Sequence, residues 1–148
     1  MPSLTYNMSV NHHRWILSTT SGHPSRWNDK TLQLYDELLK GVYDGSVLGD
    51  FTFVLHEYGA YGNIVDAMYQ GPWIMVNNGY LHWLTTVPPF KDAALRMELH
   101  WSQWLESMQK DVECTFGIMK GRFRILKTGI HLHGVEVTDK IGMTSLGR

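Results

Sequence analysis

The sequence predicts an α/β or α+β domain, a mixed sheet with flanking helices, and three observations carry that prediction. Residues 51–55 and 64–68 alternate apolar and polar side chains, as half-buried strands do. The run Trp73-Ile74-Met75-Val76 is continuously apolar, as strands buried on both faces are. From Met97 to Phe123 the apolar residues recur every three or four positions, the period of an amphipathic helix. Strands interleaved with helices give this class. A chain of 148 residues and 17.0 kDa is the size of one domain.

The elements follow in chain order. Residues 4–10 and 13–17 read as two short extended segments on weak alternation, and residues 19–27 as a turn-rich loop. Leu32, Tyr35, Leu38 and Leu39 recur at helical spacing after Asn28-Asp29, either of which is a competent N-cap. Gly41 and Gly45 are expected to end that helix. The two alternating runs flank Tyr58-Gly59-Ala60-Tyr61-Gly62-Asn63, which is turn chemistry, so they read as a β-hairpin. Asn77-Asn78-Gly79 closes the buried strand, and Pro88-Pro89 marks a loop. Met97, Trp101, Trp104, Leu105, Met108, Val112, Phe116, Met119 and Phe123 then define one long helix, or two in succession, over residues 92–124. In the tail, residues 130–133 alternate as a short strand or loop, with a helix expected from Thr138.

Composition excludes several functions. Hydrophobic residues at 43% against 18% charged exclude a disordered tail. One cysteine excludes a disulfide framework and a Cys-rich zinc site, and fits a reducing compartment. Thirteen Lys and Arg against fourteen Asp and Glu leave no global basic field to argue for nucleic acid. There is no signal-like N-terminus and no run of eighteen apolar residues, so a soluble, intracellular protein without a membrane partner is expected.

Three positions have a chemical reading. Glu106, Lys110, Glu113, Gly117, Lys120 and Arg124 share one face of the long helix. Glu113 projects away from the Val112/Phe116 stripe, Gly117 leaves space beside it, and Arg122 lies nearby. A carboxylate so flanked can hold a divalent cation beside a phosphate. A solvated face laced with i,i+4 charges accounts for the same spacing, and on spacing alone is preferred. Asn77 stands at the carboxyl end of a buried strand, where α/β folds place ligand groups, although Asn-Asn-Gly also simply terminates strands. Asp29 reads best as a helix cap. His12-His13 and His131-Leu132-His133 lack a third ligand, and Cys114 is expected to be an inert thiol beside the helix core.

Three blocks in series resemble a known family. Val112-Glu113-Cys114-Thr115-Phe116-Gly117-Ile118-Met119-Lys120-Gly121-Arg122-Phe123-Arg124-Ile125-Leu126 resembles the VE-x-x-FG-x-(L/M)K-x-RFR-x-L block of PIF/Harbinger-type transposases, which are DDE endonucleases. Residues 22–32, Gly-His-Pro-Ser-Arg-Trp-Asn-Asp-Lys-Thr-Leu, resemble its G-x-PG-x-x-ND segment, and residues 76–80, Val-Asn-Asn-Gly-Tyr, its (L/V)-D-x-GY segment.

The resemblance implies an RNase H-like fold spanning residues 1–148, with the hairpin as an insertion. It also implies a nucleus-located DNA endonuclease in which two aspartates and a glutamate coordinate two Mg²⁺ or Mn²⁺ ions. Carried over, the glutamate is Glu113 and the second aspartate falls on Asn77, a neutral donor. The first aspartate should precede the 22–32 block, and no Asp precedes Asp29, which belongs to a different block with a structural, loop-holding role. Ser25 replaces that loop's usual glycine. The expectation is therefore a nuclease domain truncated at its N-terminus, with the first catalytic strand and the helix-turn-helix region missing and a last core helix incomplete. Catalysis is expected to be impaired, with Glu113 and Asn77 facing each other across the old site. The alternative is a non-catalytic DNA- or protein-binding module. It would use the run Lys120, Arg122, Arg124 and Lys127 on phosphates, or Trp27, Trp83, Trp101 and Trp104 as an apolar patch, with a partner protein supplying DNA-binding function.

Overall fold

The structure is a computed structural model that describes residues 3–128 and 135–145. Four short strands come first: β1 (Leu4–Thr5), β2 (Met8–Val10), β3 (Ile16–Thr19) and β4 (His23–Pro24). They pair antiparallel as β1 with β4 and β2 with β3. β4 lies inside the stretch expected to be a loop, on a ladder so short that a proline costs it no required hydrogen bond.

The helix expected after Asn28 is two helices, α1 (Asp29–Gln33) and α2 (Glu37–Asp44). Asp36 divides them: its buried carboxylate caps α2 by accepting from the Leu39 N–H at 3.1 Å. A carboxylate left within a continuous helix would have no such donor. Gly41, expected as a stop, sits buried inside α2, and Gly45 ends the helix at φ +78°, a conformation few side chains tolerate.

The expected hairpin is present as β5 (Thr52–Tyr58) and β6 (Ile64–Gln70), paired antiparallel from Thr52↔Gln70 to Tyr58↔Ile64. Phe53 and Tyr69 from one of its faces pack edge-on against Trp73 at ring distances of 5.5 and 5.3 Å. β7 (Ile74–Met75) then pairs parallel with β8 (Thr86–Val87). Among the described residues the strands form four two-stranded ladders rather than the single mixed sheet expected. Strands of two to four residues, as six of the eight are, offer too few donors and acceptors to recruit a second neighbour.

The long helix is α3 (Arg96–Arg122), followed by α4 (Arg124–Thr128) and α5 (Val135–Ser145). α3 starts four residues later than expected because Glu98 folds back to accept from the Ala94 and Leu95 N–H groups at 3.0 and 3.1 Å. Its buried line is Ser102, Leu105, Thr115 and Met119, whereas Met97 is 83% and Trp104 49% exposed. The reason is uneven cover. Polar contacts that hold α3 include Phe90 N–H to Ser102 Oγ at 3.0 Å, Gln109 to the Val76 carbonyl, and Arg14 to Asp111 at 3.0 Å. The apolar side chains at the helix start, Met97, Leu99 and Trp104, are about half or more exposed. Cys114 is exposed for the same reason, correcting its expected place beside the core. α5 begins three residues before the expected Thr138, while residues 130–133 lie outside the described residues.

The core is Leu32, Leu39, Val42, Val76, Leu105 and Met119. Its members lie on α1, α2, the end of β7, and both the first half and the last turn of α3.

Candidate functional site

At the end of β7 two of the family-like blocks meet, the 76–80 turn and the segment that carries Asp29. Past Val76, Asn77 turns the chain by accepting from the Gly79 N–H through Oδ1 at 2.8 Å, an Asx turn. The turn lies against α1. A side chain on Gly79 would collide with the Asp29 carboxylate, and its Cβ would stand 3.0 Å from Asn77 Oδ1. Only glycine leaves room for both oxygens at this point of the loop.

Asp29 is free to do this because Asn28 takes the capping role, accepting from the Thr31 N–H at 2.9 Å and from its hydroxyl at 3.0 Å. The expectation that Asp29 caps or orients a helix is thus corrected in its first half: it is the first residue of α1, and its carboxylate points at the 77–79 turn. Gln33 clamps the other end of that loop. Fully buried, it donates through Nε2 to the Leu81 carbonyl at 3.2 Å and accepts from the Leu81 N–H through Oε1 at 2.5 Å. Both main-chain groups of Leu81 are satisfied by one side chain, which fixes the loop's height on α1.

Tyr80, between these anchors, turns inward. Burial pushes its hydroxyl pKa well up, the negative charges of Asp29 and then Asp36 push the same way, and a hydrogen bond with Asn7 opposes them. Asn7 Nδ2 also reaches Asp36 Oδ2 at 3.5 Å. The loop therefore has a half-buried acidic floor under a neutral phenol. Asn7, Gln33 and Asp36 are the residues that sequence reasoning missed. Gln33 was visible as a lone amide between Leu32 and Leu34, and Asp36 as a cap-type residue three positions before Leu39.

α3 passes the same strand end. Gln109 Nε2 donates to the Val76 carbonyl at 2.6 Å, directly before Asn77. Glu113 lies one turn further along that side and is exposed, with open space beside Gly117 and Gly121. Lys120 and Arg122 occupy the last turn of α3, where cations suit the helix dipole, and Arg124 and Lys127 follow on α4, all four exposed. The structure thus brings Asn77 and Asp29 together, with α3 alongside.

The two-metal arrangement that the resemblance implies does not fit these residues. Among the described residues no three His, Cys, Asp or Glu side chains group closely enough to hold an ion. Asn77 offers a neutral oxygen, which also accepts from the Gly79 N–H. Mg²⁺ and Mn²⁺ need several hard oxygen donors, with carboxylates to balance their charge. Nor is any helix of the described residues long and apolar enough to cross a membrane.

No curated protein and no solved structure matches the chain significantly. The sequence model of the DDE superfamily endonucleases, in contrast, matches residues 2–146, running through the Asp29 loop, the Asn77 turn and the Glu113 helix alike. With nearly its whole length inside that match, the chain belongs to the DDE superfamily endonuclease family.

Proposed function

We propose that this chain is an RNase H-like nuclease domain of PIF/Harbinger transposase type whose phosphodiester chemistry is impaired. One observation carries the reading: at the position aligned with the family's second aspartate stands Asn77, a neutral amide whose oxygen also accepts from the Gly79 N–H. A neutral donor in that state adds no negative charge to balance a dication. Glu113 is the residue we assign to the family's glutamate. DNA remains the substrate class, Mg²⁺ or Mn²⁺ the expected cation, and the nucleus the expected compartment.

The test compares Mg²⁺- and Mn²⁺-dependent nicking of supercoiled plasmid DNA by wild type, Glu113→Gln and Asn77→Asp. Wild type and Glu113→Gln should share one background rate. Metal-dependent nicking by wild type that Glu113→Gln abolishes would show the chemistry intact. Asn77→Asp should tighten Mn²⁺ binding roughly tenfold, the scale on which carboxylate partners act at metal sites. Unchanged Mn²⁺ binding in that variant would remove Asn77 from the site.

A second reading rests on the exposed run Lys120, Arg122, Arg124 and Lys127. These four cations would hold DNA phosphates without cleaving them, beside a partner protein that supplies sequence recognition. Its mark is an affinity that falls steeply with added salt and loses slope by about one for each lysine or arginine removed.

A further inference from the structure

The loop that begins at Asn77 carries the dipeptide Asn78-Gly79, and Asn78 alone of the six asparagines precedes a glycine. Such a pair holds its own nucleophile. The main-chain nitrogen after an asparagine can attack the side-chain amide carbon and close a five-membered ring. A following glycine leaves that nitrogen without a shielding side chain. The structure treats the two reacting groups differently. Asn78 is half-buried, and its Oδ1 is buried without a hydrogen-bond partner, so no contact through that oxygen fixes the carbonyl under attack. The nucleophile is held instead: the Gly79 N–H donates to Asn77 Oδ1 at 2.8 Å. The chain beyond it is fixed as well. The Tyr80 N–H donates to the Asn77 carbonyl at 3.3 Å, and Gln33 meets both main-chain groups of Leu81.

We propose that Asn78 is a deamidation site whose reaction is gated by the Asn77 side chain. In the first step Gly79 N bonds to Asn78 Cγ and the Cγ–Nδ2 bond breaks, the Gly79 amide proton leaving on ammonia. Water then opens the imide. Attack at Cγ yields aspartate, and attack at the main-chain carbonyl yields isoaspartate, whose main chain runs through the former side chain. Closure requires the Gly79 nitrogen to give up its proton and turn its electron pair on Cγ. While the N–H points at Asn77 Oδ1 it does neither, because a neutral amide oxygen is too weak a base to take that proton. Opening of the Asn77 turn therefore precedes reaction and adds its cost to the barrier. One ordinary hydrogen bond corresponds to about fivefold in rate. The aspartate product places a new carboxylate in a loop that already meets Asp29 at Gly79. The isoaspartate product also adds a methylene to the main chain between the Asn77 turn and the Leu81 clamp.

The test ages the full chain at mildly alkaline pH and follows residue 78 by fragment mass spectrometry, with isoaspartate counted separately by enzymatic methylation. In wild type, Asn78 should be the first asparagine converted. Folded Asn77→Ala should convert it about fivefold faster. Asn77→Asp, which keeps an acceptor for the Gly79 N–H, should stay near the wild-type rate. In urea, where the turn is gone, all three chains should react at one rate. Circular dichroism confirms that each variant keeps its fold. Should Asn77→Ala lose it, hydrogen exchange of the Gly79 amide in wild type replaces that arm, and should be at least about fivefold slower than in an unstructured peptide. A folded Asn77→Ala that reacts no faster than wild type overturns the proposal, as does an unprotected Gly79 amide. Conversion that falls on other asparagines first overturns it too, and so does a rate difference that persists in urea, where the neighbour acts by its chemistry alone.

Discussion

Gln33 shows how one side chain can set a site. It is fully buried, and its amide meets both main-chain groups of Leu81. Truncation leaves a buried donor and a buried acceptor without partners, so Gln33→Ala should cost about 2–4 kcal/mol. Equilibrium urea denaturation checks this, and Gln33→Glu, which turns a buried carboxyl oxygen against the Leu81 carbonyl, should cost at least as much. Gly79→Ala acts at the other end of the loop by driving a methyl group into the Asp29 carboxylate. It should destabilise by about 1–3 kcal/mol, as overpacked sites do, and Asp29→Gly in the same chain should recover much of the loss. Additive costs in the double variant would show that the two residues do not meet. These contacts were beyond reading from sequence. Asp29 has the chemistry of a cap, and only the three-dimensional approach of the 77–79 turn gives it another task. Asn77 was legible as a strand-end residue because Asn-Asn-Gly has a fixed local chemistry.

At the scale of elements, local signals were read well and cover was not. The hairpin followed from alternation and turn residues, and α3 from its period, because both are properties of contiguous sequence. The buried side of α3 depends on which loops reach it, and the break at Asp36 on a buried partner that no helical period announces. That break is testable: Asp36→Ala removes the cap of α2 and should cost about 1–2 kcal/mol, with a loss of helical ellipticity. α5 offers a second case. Asp139 Oδ1 accepts from the Gly22 N–H at 2.6 Å, and Gly142 sits so close to the Tyr6 hydroxyl that a side chain there would overlap it. Burial, then the charge of Asp139 and its hydrogen bond, push the Tyr6 pKa up to about 12. The folded chain thus holds the Tyr6 proton more tightly than the unfolded chain, in which tyrosine titrates near 10. Stability from this contact is complete below pH 10 and is lost as pH rises through about 12. Tyr6→Phe should flatten that alkaline fall in the urea midpoint between pH 10 and 12, and Asp139→Asn should lower the tyrosinate titration seen at 295 nm. An unaltered alkaline fall in Tyr6→Phe would place its cause elsewhere.

At the scale of the whole molecule, the aromatic wealth of the sequence suggests a generous core, and the structure does not build one. Six apolar side chains are buried among the described residues, while Trp15, Tyr58, Tyr61, Leu84 and Met97 are each at least 73% exposed. Composition counts bulky residues, whereas burial needs surfaces opposed to each other, and four separate two-stranded ladders supply few. Trp101 and Trp104, with ring centroids 5.2 Å apart, line an open groove of about 720 Å³ with Arg96, Met97 and His100 on the N-terminal part of α3. The other two tryptophans of the expected patch are dispersed: Trp27 stacks on His23 and Trp83 meets Tyr43. A native state that already exposes this much surface has less to expose on unfolding. Because the denaturant slope follows that difference, the urea m-value should fall at or below the lower part of the about 1–3 kcal/mol/M seen for small proteins, despite a chain of 148 residues. A dye that reports exposed apolar surface should bind the native protein before any denaturant is added. A steep transition, with an m-value proper to a fully packed 17.0 kDa domain, would mean that these apolar faces are buried within the folded chain in solution.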